Sequence, residues 1–149
     1  MYALVVEGGT VVTAAESYKG DLGIIDGKIA TLGKNLKGRK KIDATNKLVL
    51  PGGVEAHCHI AQESATGGMT SDDYQSGSVS AAFGGNTCFI PFAAQHRGTG
   101  INETLDLYDS RSKNSSVIDY SYHLIIADPT PDVMTRELSE AVARGITSF

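Results

Sequence analysis

From residue 54 onward the sequence repeats one unit, an apolar run of strand length followed by helical spacing. Four such periods of roughly 30 residues predict a parallel sheet covered by helices, because parallel neighbours need a long crossover connection. The first apolar run, 54–60, follows Pro51-Gly52-Gly53, a break at which the strand begins afresh. Thr70 or Ser71 can cap the first helix, with Asp72 and Asp73 in its opening turn beside the positive end of the dipole. Tyr74, Gly77, Ser78, Ala81 and Ala82 then share a stripe, and Gly84-Gly85 stops it. Residues 86–92 form the second apolar run, with Pro91 marking the strand exit. A helix over 102–113 turns Ile101, Leu105, Tyr108 and Ser112 inward. Residues 120–127 make the third strand. Thr130 and Pro131 open a helix with Met134, Leu138, Ala141 and Val142 on its stripe, ended by Gly145. Residues 146–149 begin a fourth strand.

The first 50 residues have a different rhythm. Residues 2–12 read as strand, Gly8-Gly9 turn, strand. A second hairpin spans 22–32 around Asp26-Gly27, a strong turn signal because both central positions want positive φ. The basic segment 34–41 reads as a solvated loop, and 42–50 returns to extended structure. Together these strands predict part of a small β-sandwich domain over 1–50, with an α/β domain over 51–149.

Composition excludes several function classes. The formal net charge is -4, so the chain offers no basic patch for nucleic acid. No apolar run approaches the ~20 residues that span a bilayer, and the first residues lack the basic start and apolar core of a signal peptide. Cys58 and Cys88 are too few for a disulfide scaffold and read as buried free thiols. A cytoplasmic protein with no membrane partner is the expectation.

The chemistry sits at the end of the first strand, at His57-Cys58-His59. Side chains two apart on a strand share a face, about 6 to 7 Å apart at the Cα atoms. Two neutral imidazoles placed so can converge on one metal ion. Strand ends of this kind are where α/β proteins gather their ligands.

The hairpin-rich start, Ile42-Asp43-Ala44-Thr45, Leu48-Val49-Leu50-Pro51-Gly52-Gly53-Val54 and His57-x-His59 together resemble the cyclic amidohydrolases. Within them the chain is most similar to the dihydropyrimidinase and D-hydantoinase group. The likeness continues through Thr70-Ser71-Asp72-Asp73-Tyr74, Ala81-Ala82-Phe83-Gly84-Gly85-Asn86-Thr87, Asp119-Tyr120 with His123, and Gly145-Ile146-Thr147-Ser148-Phe149, and so covers the whole chain. It implies an α/β fold: a (β/α)₈ barrel of the TIM type beside a small β-sandwich that the chain ends build. Only the first half of that architecture would be present here.

The resemblance also implies a function. His57 and His59 would bind one of two divalent ions, zinc, and the hydroxide bridging the pair would open a neutral cyclic amide such as 5,6-dihydrouracil or a hydantoin. The remaining ligands and the aspartate base would lie beyond residue 149. The bridging carboxylated lysine would come immediately after Phe149. The expectation is therefore the front of a longer protein, ended by interruption at the modified residue, the favoured reading, or by truncation. A homotetramer or dimer is implied as well. Allantoinase or another cyclic imide hydrolase, and a non-catalytic oligomeric relative of dihydropyrimidinase, are the alternatives. Retention of both histidines argues against the last.

Some positions depart from the family pattern or stand outside it. Glu55 occupies a site where many relatives have aspartate, and reads either as a carboxylate orienting His57 or as a plain surface group. His96 lies in a loop on the expected active-site face, as a substrate contact or a solvated side chain. His123 reads as a hydrogen-bonded core histidine. Ala61 stands where relatives acting on an acidic ring place arginine, and Glu63 would repel an acid group, so the expected substrate ring is uncharged.

Overall fold

The computed structural model describes residues 1–64 and 67–149, which form two compact units, Met1–Pro51 and Gly52–Phe149. The first unit is one mixed sheet of five strands. β1 (Tyr2–Val12), β2 (Ser17–Ile25) and β3 (Lys28–Gly33) pair antiparallel in sequence order. β4 (Gly38–Asp43) and β5 (Leu48–Val49) run parallel to β1 and pair with successive stretches of it. The Asp26-Gly27 hairpin is present, with φ of 50° and 73° at its two central residues. That left-handed pair matches the twist of the flanking strands.

Two expectations for this unit are overturned. Gly8-Gly9 does not turn the chain: β1 runs straight through it. Pairing passes from Val6↔Leu22 to Gly9↔Gly20, so one strand carries an extra residue. Gly8, at φ 75°, is the residue of a β-bulge, where a left-handed backbone costs glycine little. The basic segment is a loop only to Lys37, because Gly38 onward is β4. Its charged side chains suit an outer strand, where they discourage pairing with another chain. Lys41 lies 2.6 Å from Glu7 Oε2 on the neighbouring strand. The expected sandwich appears here as a single sheet, with Ile29, Leu32 and Leu50 exposed around an apolar groove of about 230 Å³.

Asp21 ties this sheet together. It is buried, and its two oxygens accept the N–H groups of Gly8 at 3.0 Å and Leu36 at 3.1 Å. The bond from Gly8 is the largest influence holding its carboxyl below the usual aspartate range, against an opposing effect of burial. A lowered folded value means that this stabilisation is complete above the ordinary range, near pH 4, and is lost as pH falls through the folded value. Asp21→Ala is expected to destabilise the unit by about 2 kcal/mol at pH 7, with the loss shrinking on acidification. Urea titrations of both proteins at neutral and acid pH read this directly.

In the second unit β6 (Gly53–Cys58), β7 (Asn86–Ala94), β8 (Asp119–Tyr120) and β9 (His123–Ile125) are all parallel, and β7 pairs with each of the others. The expected strand at 120–127 is thus two short ones. Pro91 explains the division. It lies inside β7, not at its exit, between the residues that pair with β8 (Cys88, Phe89) and those that pair with β9 (Phe92 to Ala94). A proline has no N–H for the ladder, so pairing is interrupted beside it. Tyr122, in the gap, turns inward and shares hydrogen bonds with Ser112 and Asp109.

The helices cover this sheet. α1 (Tyr74–Phe83) is capped by Asp73, not by Thr70 or Ser71: Asp73 Oδ1 accepts from Ser76 N–H at 2.7 Å, and Ser76 Oγ receives Asp73 N–H. That reciprocal pair is a capping box. Tyr74, Gly77 and Ser78 are buried as the stripe predicts, whereas Ala82 is exposed. A Cβ on Gly77 would stand 2.8 Å from Ile60 Cδ1, so the helix approaches closely there. α2 (Ile101–Ser112) buries the predicted stripe of Ile101, Leu105, Tyr108 and Ser112.

The last helical run, 131–143, differs from expectation. It passes through a π-helical turn, Val133–Glu137, before α3 (Leu138–Ala143). The wider turn rotates the stripe, so Val133, Glu137 and Ala141 are buried, and Met134 and Val142 are exposed at 52% and 48%. Residues 146–149 carry no strand assignment, although Leu124 N–H donates to the Ser148 carbonyl at 3.0 Å.

Among the described residues, Tyr74 Oη is a buried side-chain polar atom without a hydrogen-bond partner. Its ring packs 6.0 Å from Phe89, and burial pushes its phenol well above the usual tyrosine value. Leaving such a group unpaired costs about 1 kcal/mol or more. Tyr74→Phe is therefore expected to raise stability by about 1 kcal/mol, measured as a higher denaturation midpoint at unchanged slope.

Candidate metal centre

His57 is the penultimate residue of β6, and His59 follows its end. The strand's two-residue period turns both imidazoles to one face, with ring centres 5.6 Å apart and planes at 71°. Two imidazoles on one tetrahedral ion stand roughly 5 Å apart, given nitrogen–metal bonds of about 2 Å. The pair fits a shared ion. Cys58 between them points the other way, and burial, with the charge of Glu55 adding to it, pushes its thiol up to about 11.

Phe92, near the end of β7, joins the rings. It stacks on His59 at 4.9 Å with planes 15° apart, and meets His57 edge-on at 5.0 Å. His123, the first residue of β9, packs 5.3 Å from Phe92. Its Nδ1 lies 2.6 Å from Ser148 Oγ and its Nε2 lies 2.9 Å from the Ala56 carbonyl. The hydrogen-bonded reading of His123 holds, but the residue is only half-buried and lines a cleft rather than the core. That cleft, about 570 Å³, also takes in His57, Phe92, Leu124, Ser148 and Phe149. Spacing alone did not reveal His123 and Phe92 as neighbours of the pair; the parallel order of β6, β7 and β9 brings them there.

The other candidates lie elsewhere. Glu55 is exposed, and its Oε1 accepts the backbone N–H of His57 at 2.9 Å, so it braces the strand end and not an imidazole. His96 pairs with Glu63 at 3.1 Å, and Arg111 holds the other oxygen of the same carboxylate at 2.8 Å. Arg111 is the largest influence lowering the Glu63 carboxyl below its usual range. Gln62, which the sequence did not single out, has its Oε1 2.7 Å from His59 Nδ1. Its spacing three residues after His59 was the available signal. Among the described residues no group of three or more His, Cys, Asp and Glu side chains is arranged to hold a metal. Among the described residues, the imidazole pair is the arrangement that could hold an ion.

No family model matches the chain. Among curated proteins it is 41% identical over 147 residues to a D-hydantoinase of Geobacillus stearothermophilus, covering 97% of this chain and 31% of that protein. To a dihydropyrimidinase of Dictyostelium discoideum it is 34% identical over 150 residues, covering 98% and 29%. A solved D-hydantoinase matches with a TM-score of 0.92 and 38% identity, across 100% of this chain and 32% of that one. This chain is homologous to the D-hydantoinases and dihydropyrimidinases. The resemblance read from the motifs stands. The chain spans about a third of the length of the hydantoinases and dihydropyrimidinases it matches. No helix in its described residues is long and apolar enough to cross a membrane.

Proposed function

We propose that this protein is a metal-dependent hydrolase that opens a neutral cyclic amide, a hydantoin or a 5,6-dihydropyrimidine. One observation carries the reading: two imidazoles stand 5.6 Å apart at the end of a parallel strand, in a chain 41% identical to a D-hydantoinase. His57 and His59 would hold a divalent ion, zinc in this reading. When bound, such an ion supplies Lewis acidity toward the amide carbonyl and toward water. The chain's own groups shape the surroundings of such an ion. Phe92 covers one side of His59 and keeps bulk water from that face. Leu124 and Phe149 give the cleft an apolar lining suited to a flat, uncharged ring.

The charge around the site supports a neutral substrate. Ala61, two residues past His59, offers no cation, and Arg111 is committed to Glu63 and to the Ala61 carbonyl. An acidic ring would meet no free guanidinium there. In the same reading, the second ion, the carboxylated lysine after Phe149 and the aspartate base belong to residues beyond 149. Residues 1–50 contribute to a β-sandwich, and 51–149 to the first half of a (β/α)₈ barrel. The protein acts in the cytoplasm as a dimer or tetramer; the free cysteines suit a reducing compartment.

Metal analysis and substrate comparison test this. The full-length protein is expected to carry about two zinc ions per chain and to hydrolyse hydantoin and dihydrouracil in preference to a carboxylated ring. A metal-free protein inert toward both neutral rings would refute it.

A further inference from the structure

Arg111 on α2 reaches the loop that follows His59. Its Nη1 donates to the Ala61 carbonyl at 2.8 Å and its Nη2 to Glu63 Oε1 at 2.8 Å. The guanidinium also sits 5.1 Å over the Tyr108 ring, which fixes its plane. These contacts bracket Gln62 on both sides.

The backbone here is held in further ways. Gln62 N–H donates to Thr70 Oγ1 at 3.1 Å, and Thr70 N–H returns to the Gln62 carbonyl at 2.9 Å. Ala61 N–H donates to the Asp72 carbonyl at 2.9 Å. Ala61 itself is at φ 48°. A non-glycine residue pays on the order of 1 kcal/mol for that region, and it persists only where the surroundings over-determine it. Gln62 therefore presents its side chain from a fixed backbone, with Oε1 2.7 Å from His59 Nδ1.

An amide oxygen has no proton to give, so it must face an Nδ1–H. That selects the imidazole tautomer whose Nε2 keeps its lone pair, the form able to bind a metal. The flipped amide would set a donor against Nδ1 and leave the proton on Nε2. An inward oxygen and a metal-binding His59 thus require each other.

We infer that Gln62 is a positioning residue, setting the tautomer and ring orientation of His59, and that Arg111 keeps Gln62 in place. The inference deepens the metal-hydrolase reading and rests on it.

The test uses the full-length protein, with zinc alone as the probe. Zinc affinity by chelator competition is expected to fall about 10- to 100-fold in Gln62→Met, and to stay close to the original in Gln62→Glu, which keeps an acceptor. Arg111→Met is expected to weaken zinc binding in the original protein and to add little in the Gln62→Met background, because both act through one contact. Nitrogen-15 spectra of the metal-free protein should show His59 protonated at Nδ1, and this signature should be lost in Gln62→Met. Unchanged zinc affinity in Gln62→Met, or a His59 protonated at Nε2 in the original protein, overturns the inference and leaves the metal reading standing. Failure of the original protein to bind zinc overturns both.

Discussion

On the proposed hydrolase reading, His57→Ala is expected to remove ring opening almost entirely, with kcat/KM falling about 10³-fold or more, equivalent to about 4 kcal/mol of transition-state stabilisation. The size follows from the donor set. In that reading His57 and His59, with ring centres 5.6 Å apart, are the ligands that residues 1–149 contribute, and losing one removes half of that contribution. His57 is exposed at the strand end, so its truncation should leave the denaturation midpoint nearly unchanged. Adding zinc back to chelator-treated protein should restore the original enzyme and not the variant. His96→Ala serves as the contrast. His96 makes an exposed pair with Glu63, which Arg111 still holds, so kcat/KM should stay within about threefold. Retained activity in His57→Ala, or equal losses in both variants, would contradict this account of the site.

Glu137→Ala is expected to be the most destabilising of the polar substitutions considered for the second unit, by about 3 kcal/mol. Glu137 is buried, and its Oε2 accepts the N–H of Ile101 at 2.6 Å. Gly100, the N-cap of α2, makes no side-chain cap of its own, so this carboxylate serves the first turn of α2 from another helix. Negative charge there also suits the helix dipole. Alanine would leave a buried N–H without a partner and a void beside Gly100, whose added Cβ would lie 2.8 Å from Glu137 Oε1. Glu137→Gln keeps an uncharged acceptor and should lose about half as much. Chemical denaturation of the three proteins measures the series. A loss below about 1 kcal/mol for alanine would mean that water replaces the carboxylate freely.

Gln95 belongs to the same class of buried polar groups. Its amide accepts the N–H groups of Ala127 and Asp128 and donates to the Thr99 carbonyl, joining the segments after β7 and β9. In the sequence it was an ordinary residue at a strand exit.

What the sequence determined by itself was whatever depends on near neighbours along the chain. Asp26-Gly27 specified its hairpin because two adjacent residues carry the positive φ. The spacing of Ile101, Leu105, Tyr108 and Ser112 specified the inner face of α2, because helical period is local. His57 and His59 share a face because strand period is local too. Their family likeness followed from the same short motifs. The tertiary structure decided the rest. Gly8 became a bulge only because β2 pairs with both halves of β1. Met134 and Val142 were displaced from the inner stripe by a π-helical turn that buries Glu137 against a helix 36 residues earlier. Arg111 supports the loop after His59 across 50 residues of sequence. A hydrogen bond between such distant positions leaves no periodic trace, since neither partner's neighbours need to change to accommodate it.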